Sequence, residues 1–308
     1  VDVYSRVFEA ETNTTRQVFC LMSDLHIDAS DHDHKLLKND LEAAKALGAR
    51  ISINGDTFDA IVPSDRKRHH PSVMRNDPER DDIFNQLVKM GVDLLAPYAD
   101  LIDVISPGNH ERSVLKYHHV DVISMLIFGL NLVRSPELPP IHQGSYRGFQ
   151  RYIWRWKKGR ASLNFTIFRH HGVGGSAPVT GGALDLDRIR KDFDADLYWL
   201  GHKHNSIDRK FTRISLSSAG RVMVKQQRGV MSAGYKQQLA LEDINESGDI
   251  ADFGETFYRV SEAGAQWLLV EARCSADTTS TGFVDGIRWS VCDSPAQLKG
   301  EGLPPSAA

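Results

Sequence analysis

Apolar residues fall into two rhythms along this chain. Short runs at 18–23, 50–54, 101–106, 163–169 and 197–200 are rich in β-branched and aromatic types and bounded by Gly, Asp or Asn. Runs of that length and make-up predict buried strands. Between them, 35–47 and 82–90 place apolar residues at helical spacing and stop at Gly48 and Gly91; 120–130 and 186–193 predict two further helices. Strands alternating with helices predict a layered α/β fold.

Three stretches depart from this rhythm. Residues 60–82 are polar and carry Arg66, Lys67, Arg68, His69 and His70, which reads as a long loop over the active face. In 145–169, charged and aromatic positions alternate through Arg151, Tyr152, Trp154, Arg155 and Trp156, a polar turn from Lys157 to Arg160 follows, and a strand resumes. A β-hairpin is predicted. Beyond position 204, runs at 213–216, 221–224, 267–272 and 286–291 predict a strand-rich carboxyl third that completes a second sheet. A single domain over 1–300 and a loose tail over 301–308 are expected.

With 308 residues, 41% hydrophobic and 25% charged, the chain has the composition of a globular protein with a large core. Its formal net charge of -3 gives no global field for nucleic acid, so such a partner would need a local patch. Cys20, Cys274 and Cys292 are widely spaced without a CxxC pair, which fits a reducing, cytoplasmic setting. No apolar run approaches the roughly 18 residues of a membrane span. Val1-Asp2-Val3 has neither the basic region nor the apolar core of a signal peptide, and a start without Met leaves a removed leader open.

The chemistry sits where the predicted strands end. Asp24-Leu25-His26, Gly55-Asp56 with Asp59, Gly108-Asn109-His110-Glu111, His171-Gly172 and Gly201-His202-Lys203-His204 each close such a run. Open α/β sheets gather their chemistry beyond the carboxyl ends of strands, so the five segments are expected to converge. A pair of metals needs a shared carboxylate and several neutral nitrogens, and this inventory supplies both. His170 and His171 compete for one position, since only one of two adjacent strand residues faces the site; the glycine after His171 favours that one.

The ordered set resembles the calcineurin-like metallophosphoesterase family over Asp24 to His204. The 194–200 segment and the glycines after His171 resemble members found in bacteriophage and prophage genomes. The resemblance implies a two-sheet αββα sandwich. It implies one divalent cation on Asp24, His26, Asp56 and His204, and a second on Asp56, Asn109, His171 and His202. Asp56 would bridge them together with a hydroxide that attacks phosphorus, and His110 would serve the leaving group. Asp, Asn and His donors without thiolate suit Mn²⁺, Fe or Zn²⁺.

Around this set, Arg112, His32, His34, Arg66, Arg68 and His69 are candidate substrate contacts, and Asp59 is expected to support a ligand or a turn. Metal-dependent hydrolysis of a phosphodiester is the leading expectation. A nuclease using the basic, aromatic hairpin, a phosphomonoesterase and a non-catalytic binding protein on the same fold are the alternatives. An ordinary hairpin with buried and exposed faces explains those aromatic residues equally simply.

Overall fold

In a computed structural model of the chain, the described residues are 1–10, 12, 14–61, 82–156, 162–174, 182–236, 263–273 and 286–298. The expected basic loop with Arg66, Arg68 and His69, the hairpin turn, Cys274 and the tail lie outside them. In chain order the strands are β1 (Asp2–Ala10), β2 (Thr14–Met22), β3 (Arg50–Asn54), β4 (Ile102–Ser106), β5 (His142–Gln143), β6 (Arg147–Trp156), β7 (Ser162–His170), β8 (Leu197–Leu200), β9 (Ile207–Leu216), β10 (Val222–Met231), β11 (Gln266–Arg273) and β12 (Gly286–Cys292). The helices are α1 (His34–Ala46), α2 (Ile83–Leu95), α3 (Asn109–His118), α4 (Val122–Val133) and α5 (Ala183–Asp192), with a final turn Pro295–Leu298.

Two mixed six-stranded sheets result, ordered β1-β6-β7-β8-β10-β9 and β12-β11-β2-β3-β4-β5. Strand periodicity of two decides what each face buries. On β2, Phe19 and Leu21 enter a core shared with Tyr152, Trp154, Phe165, Ile167 and Trp199 of the facing sheet. Their neighbours Cys20 and Met22 join the helix-side core with Leu41 of α1, Leu87 of α2 and Leu126 of α4. On β8, Tyr198 and Leu200 turn outward to Leu186 of α5. The order of layers is therefore helix, sheet, sheet, helix.

Two sequence expectations are corrected. The carboxyl third does not complete one sheet: β9 and β10 extend the first, whereas β11 and β12 extend the second. The second helix does not stop at Gly91 but runs to Leu95. A Cβ on Gly91 would lie 2.9 Å from both Leu126 Cδ1 and Phe58 Cζ, so the glycine serves close helix packing rather than termination. β1 and α3 carry no expectation from the sequence, and β1 exists because it lies parallel along β6 from Asp2↔Gly148 to Ala10↔Trp156.

The hairpin is present, with β6 antiparallel to β7, yet its aromatic residues are not a surface. Tyr152 and Trp154 are fully buried between the sheets, while Arg151 and Arg155 are exposed on the other face. Stacking on nucleobases would need those rings to be free. Arg155 also pairs with Ser162 at the start of β7, nine residues before His171, which follows the end of that strand, or about 30 Å at roughly 3.3 Å per residue.

Candidate metal centre

The ligand-competent residues leave the carboxyl ends of five strands belonging to both sheets: β2, β3 and β4 from one, β7 and β8 from the other. Backbone hydrogen bonds weld the crossing loops together. Asp24 N–H donates to the carbonyl of Gly55 at 3.0 Å, His26 N–H to that of Asp56 at 3.0 Å, and Gly201 N–H to that of His171 at 3.0 Å. Asn54, the last residue of β3, spans the sheets: its amide donates to the His170 carbonyl at 3.1 Å, and its own carbonyl meets His171 Nδ1 at 2.8 Å.

Three acid–imidazole groups form among the described residues, each with ligand atoms within 4.8 Å of one another: Asp24, His26 and His204; Asp56, His171 and His202; His26, Asp59 and His110. Asp56 lies centrally. Its Oδ2 is 3.1 Å from His171 Nε2, 3.9 Å from His110 Nε2 and 4.0 Å from His26 Nε2. Asn109 places its Oδ1 3.0 Å from His171 Nε2, and Asp24 Oδ1 lies 3.6 Å from His204 Nε2. His170 turns away, accepting the N–H of Gly172 on Nδ1 at 2.9 Å, so of the adjacent pair it is His171 that enters this cluster.

The surroundings fit divalent cations. His26 Nε2 is buried without a hydrogen-bond partner and is directed toward Asp56, an arrangement that a cation bonded to this nitrogen would satisfy. A Cβ on Gly108 would come within 2.0 Å of Asp56 Oδ1, so the carboxylate and the turn approach as only glycine allows. Electrostatics agree. Although burial opposes it, the Asp56 and Asp24 charges push His171 up to about 10, a field equally attractive to a cation. Burial also works against the Asp56 carboxylate, but His171, His110 and His26 hold it well below the usual range. His26 and His204 are driven down to about 4 by burial and so are neutral and ready to bind.

Supporting groups surround the cluster. Asp59 sits behind it: its Oδ1 meets His26 Nδ1 at 2.8 Å and accepts from Lys236 Nζ at 3.2 Å, the carboxylate–histidine arrangement that fixes a ligand ring. Glu111 turns inward yet does not orient His110. Its carboxylate accepts the N–H groups of Gly108 at 2.8 Å, Asp56 at 3.2 Å and Phe58 at 2.9 Å, holding two ligand loops together. His110 is oriented instead by the Asp59 carbonyl, 2.6 Å from its Nδ1. Asp28 does a similar task for the next turn, accepting from Asp59 N at 2.6 Å and Ala60 N at 2.9 Å. Sequence reasoning missed Asp28 and Lys236, and no spacing signal marks Lys236, which arrives from the carboxyl third.

Of the candidate substrate contacts, Arg112 is exposed on the first turns of α3, with its guanidinium 5.1 Å over the Tyr146 ring. His32 is buried and its backbone bridges to Lys236, and His34 opens α1 in solvent. Neither belongs to the three acid–imidazole groups.

No protein-family model and no curated protein matches this chain. Among solved structures it is similar to GAP50, the anchor in the inner membrane complex of Plasmodium, at 10% identity and a TM-score of 0.38 over 89% of this chain and 88% of that one. It is also similar to a metallophosphoesterase from Sphaerobacter thermophilus, at 14% identity and a TM-score of 0.29 over 94% and 95%. Likeness at that level carries no weight for function, which rests on the residues of the chain itself.

Proposed function

We propose that this chain hydrolyses phosphate esters, with one divalent cation held by Asp24, His26, Asp56 and His204 and another by Asp56, Asn109, His171 and His202. The observation that supports this reading is that Asp56, grouped with His171 and His202, also faces His26 of the Asp24, His26 and His204 group at 4.0 Å, with His110 3.9 Å from the same carboxylate oxygen. Cations bound there supply Lewis acidity toward a phosphate ester and ease the deprotonation of water; oxygen and nitrogen donors suit Mn²⁺, Fe or Zn²⁺. The chain's own residues do the rest. His110 Nδ1–H donates to the Asp59 carbonyl, which leaves Nε2 facing the centre, where it can pass a proton to a departing oxygen. The loops held by Glu111 keep Asp56 and Asn109 in place while this happens.

Diesters are the favoured substrates. Support comes from a cavity lined by Arg112, Arg147 and Tyr146, whose ring centre lies 5.4 Å from that of His171; it has room for a second ester arm. Elemental analysis of wild type should approach two cations per chain, and Asp56→Asn should lower both. His110→Ala should keep the metal while cutting turnover of alkyl esters by about 10²–10⁴-fold. Full activity at one cation per chain would refute the paired centre. A monoester preference above about tenfold in kcat/KM, or about 1.4 kcal/mol, would refute the diester assignment.

A further inference from the structure

We propose that the cavity between α3 and the segment entering β6 binds an anionic group on the second arm of the ester, through Arg112 and Arg147; this rests on the phosphoesterase reading above. The cavity holds about 350 Å³, enough for a compact substituent. Its wall is anchored to a proposed cation ligand. Tyr146 accepts the His171 N–H on its carbonyl at 3.1 Å, donates its hydroxyl to the Gly172 carbonyl at 2.6 Å, and sets its ring edge-on to His171 at 5.4 Å. Tyr146 therefore joins the His171 side of the cluster to the cavity.

Charge decides what that arm carries. Two carboxylates line the cavity and both are engaged: Glu111 with three backbone N–H groups, and Asp121 with Ser124 N at 3.0 Å and Gln143 Nε2 at 3.0 Å. The two guanidinium groups are not: among the described residues neither Arg112 nor Arg147 has a carboxylate within 4.0 Å, and both side chains are exposed. The Arg112 guanidinium lies 5.1 Å over the Tyr146 ring, a cation–π contact that reduces the ordering cost of binding an anion. Unneutralised arginines on one wall, with the acids already occupied, favour phosphate or carboxylate over a neutral or cationic group.

The test compares aryl diesters whose second arm ends in methyl, carboxylate or phosphate, with Mn²⁺-loaded wild type, Arg112→Gln and Arg147→Gln. Wild type should favour an anionic arm over the methyl arm by about tenfold or more in kcat/KM, chiefly through KM, and each variant should bring that ratio toward one. The carboxylate and phosphate arms identify which anion fits. In parallel, inorganic pyrophosphate titrated into the metal-free full chain should bind about tenfold or more tightly to wild type than to the double variant. Equal kcat/KM across the three arms, or a pyrophosphate affinity unmoved by both substitutions, overturns the proposal. If wild type turns over no ester but the pyrophosphate difference stands, the phosphoesterase reading fails and the anion site survives.

Discussion

Backbone strain is concentrated where the proposed cation ligands are. Among the described residues seven non-glycine positions have left-handed φ, and five of them are Asp24 (56°), His26 (46°), Asp56 (49°), His202 (74°) and His204 (48°). Such conformations cost about 1–3 kcal/mol each and persist only when the surroundings over-determine them. Here the crossed loop hydrogen bonds do so. Charge at the same residues gives a pH prediction for the metal-free protein. His171, raised to about 10 when folded against about 6.5 unfolded, adds stability that is whole below pH 6.5 and is lost as pH rises toward 10. His26 and His204, lowered to about 4, act oppositely: the unfolded chain takes up their protons first, so stability falls as pH drops from 6.5 toward 4. The melting temperature in chelator should therefore peak near neutrality, and His171→Gln should flatten the decline between about pH 7 and 9. A wild-type profile already flat there would remove His171 from this role.

At the level of elements, the sequence was most legible where one rhythm governed. The β3 run at 50–54 is observed as Arg50–Asn54, all buried: Ile51 and Ile53 enter the helix-side core, while Arg50, Ser52 and Asn54 are buried with hydrogen-bond partners in Asp103, Gln150 and His170. Gly91 misled because a glycine that ends a helix and one that admits a neighbouring helix look alike in one dimension. Gly91→Ala discriminates them. An added methyl gains about 1 kcal/mol in helix propensity, but it must displace Leu126 or Phe58 from 2.9 Å contacts, at a cost of about 1–3 kcal/mol. The net expectation is a loss of about 1 kcal/mol, seen as a lower urea midpoint at unchanged slope; a gain would mean the helices part without cost. α3 escaped notice because its first turn, Asn109 to Arg112, reads as a polar loop, and only the burial of Glu111 and Val114 shows which face packs.

Across the whole molecule, the centre depends on how two sheets are placed. Asp103 of β4 accepts from Arg50 of β3 at 3.0 and 2.5 Å and from Arg6 of the facing sheet at 2.9 Å, locking the sheets at the end opposite the centre. Asp103→Ala would leave two largely buried guanidinium groups without this acid, and a loss of about 3–5 kcal/mol is expected by denaturant titration. Because the change is remote from the ligands, cation content of the folded fraction should be unaltered. A folded variant that loses its cations would show that this lock also sets the spacing of the centre.

The sequence alone determined which side chains can bind cations and in what order they occur, because donor chemistry and strand ends are local properties. It also determined that β2, β3, β4, β7 and β8 are strands, since short runs of β-branched and aromatic residues bounded by turn residues leave a mark in composition. Tertiary structure alone decided that three of those strands belong to one sheet and two to the other, that Tyr152 and Trp154 are core rather than surface, and that Arg155 lies at the end of its strand pair remote from the centre. It decided, too, that Lys236 reaches Asp59 across 177 positions of sequence. Each of these is a long-range pairing, and a one-dimensional pattern records what a residue can bury or bind but not which distant residue it will meet.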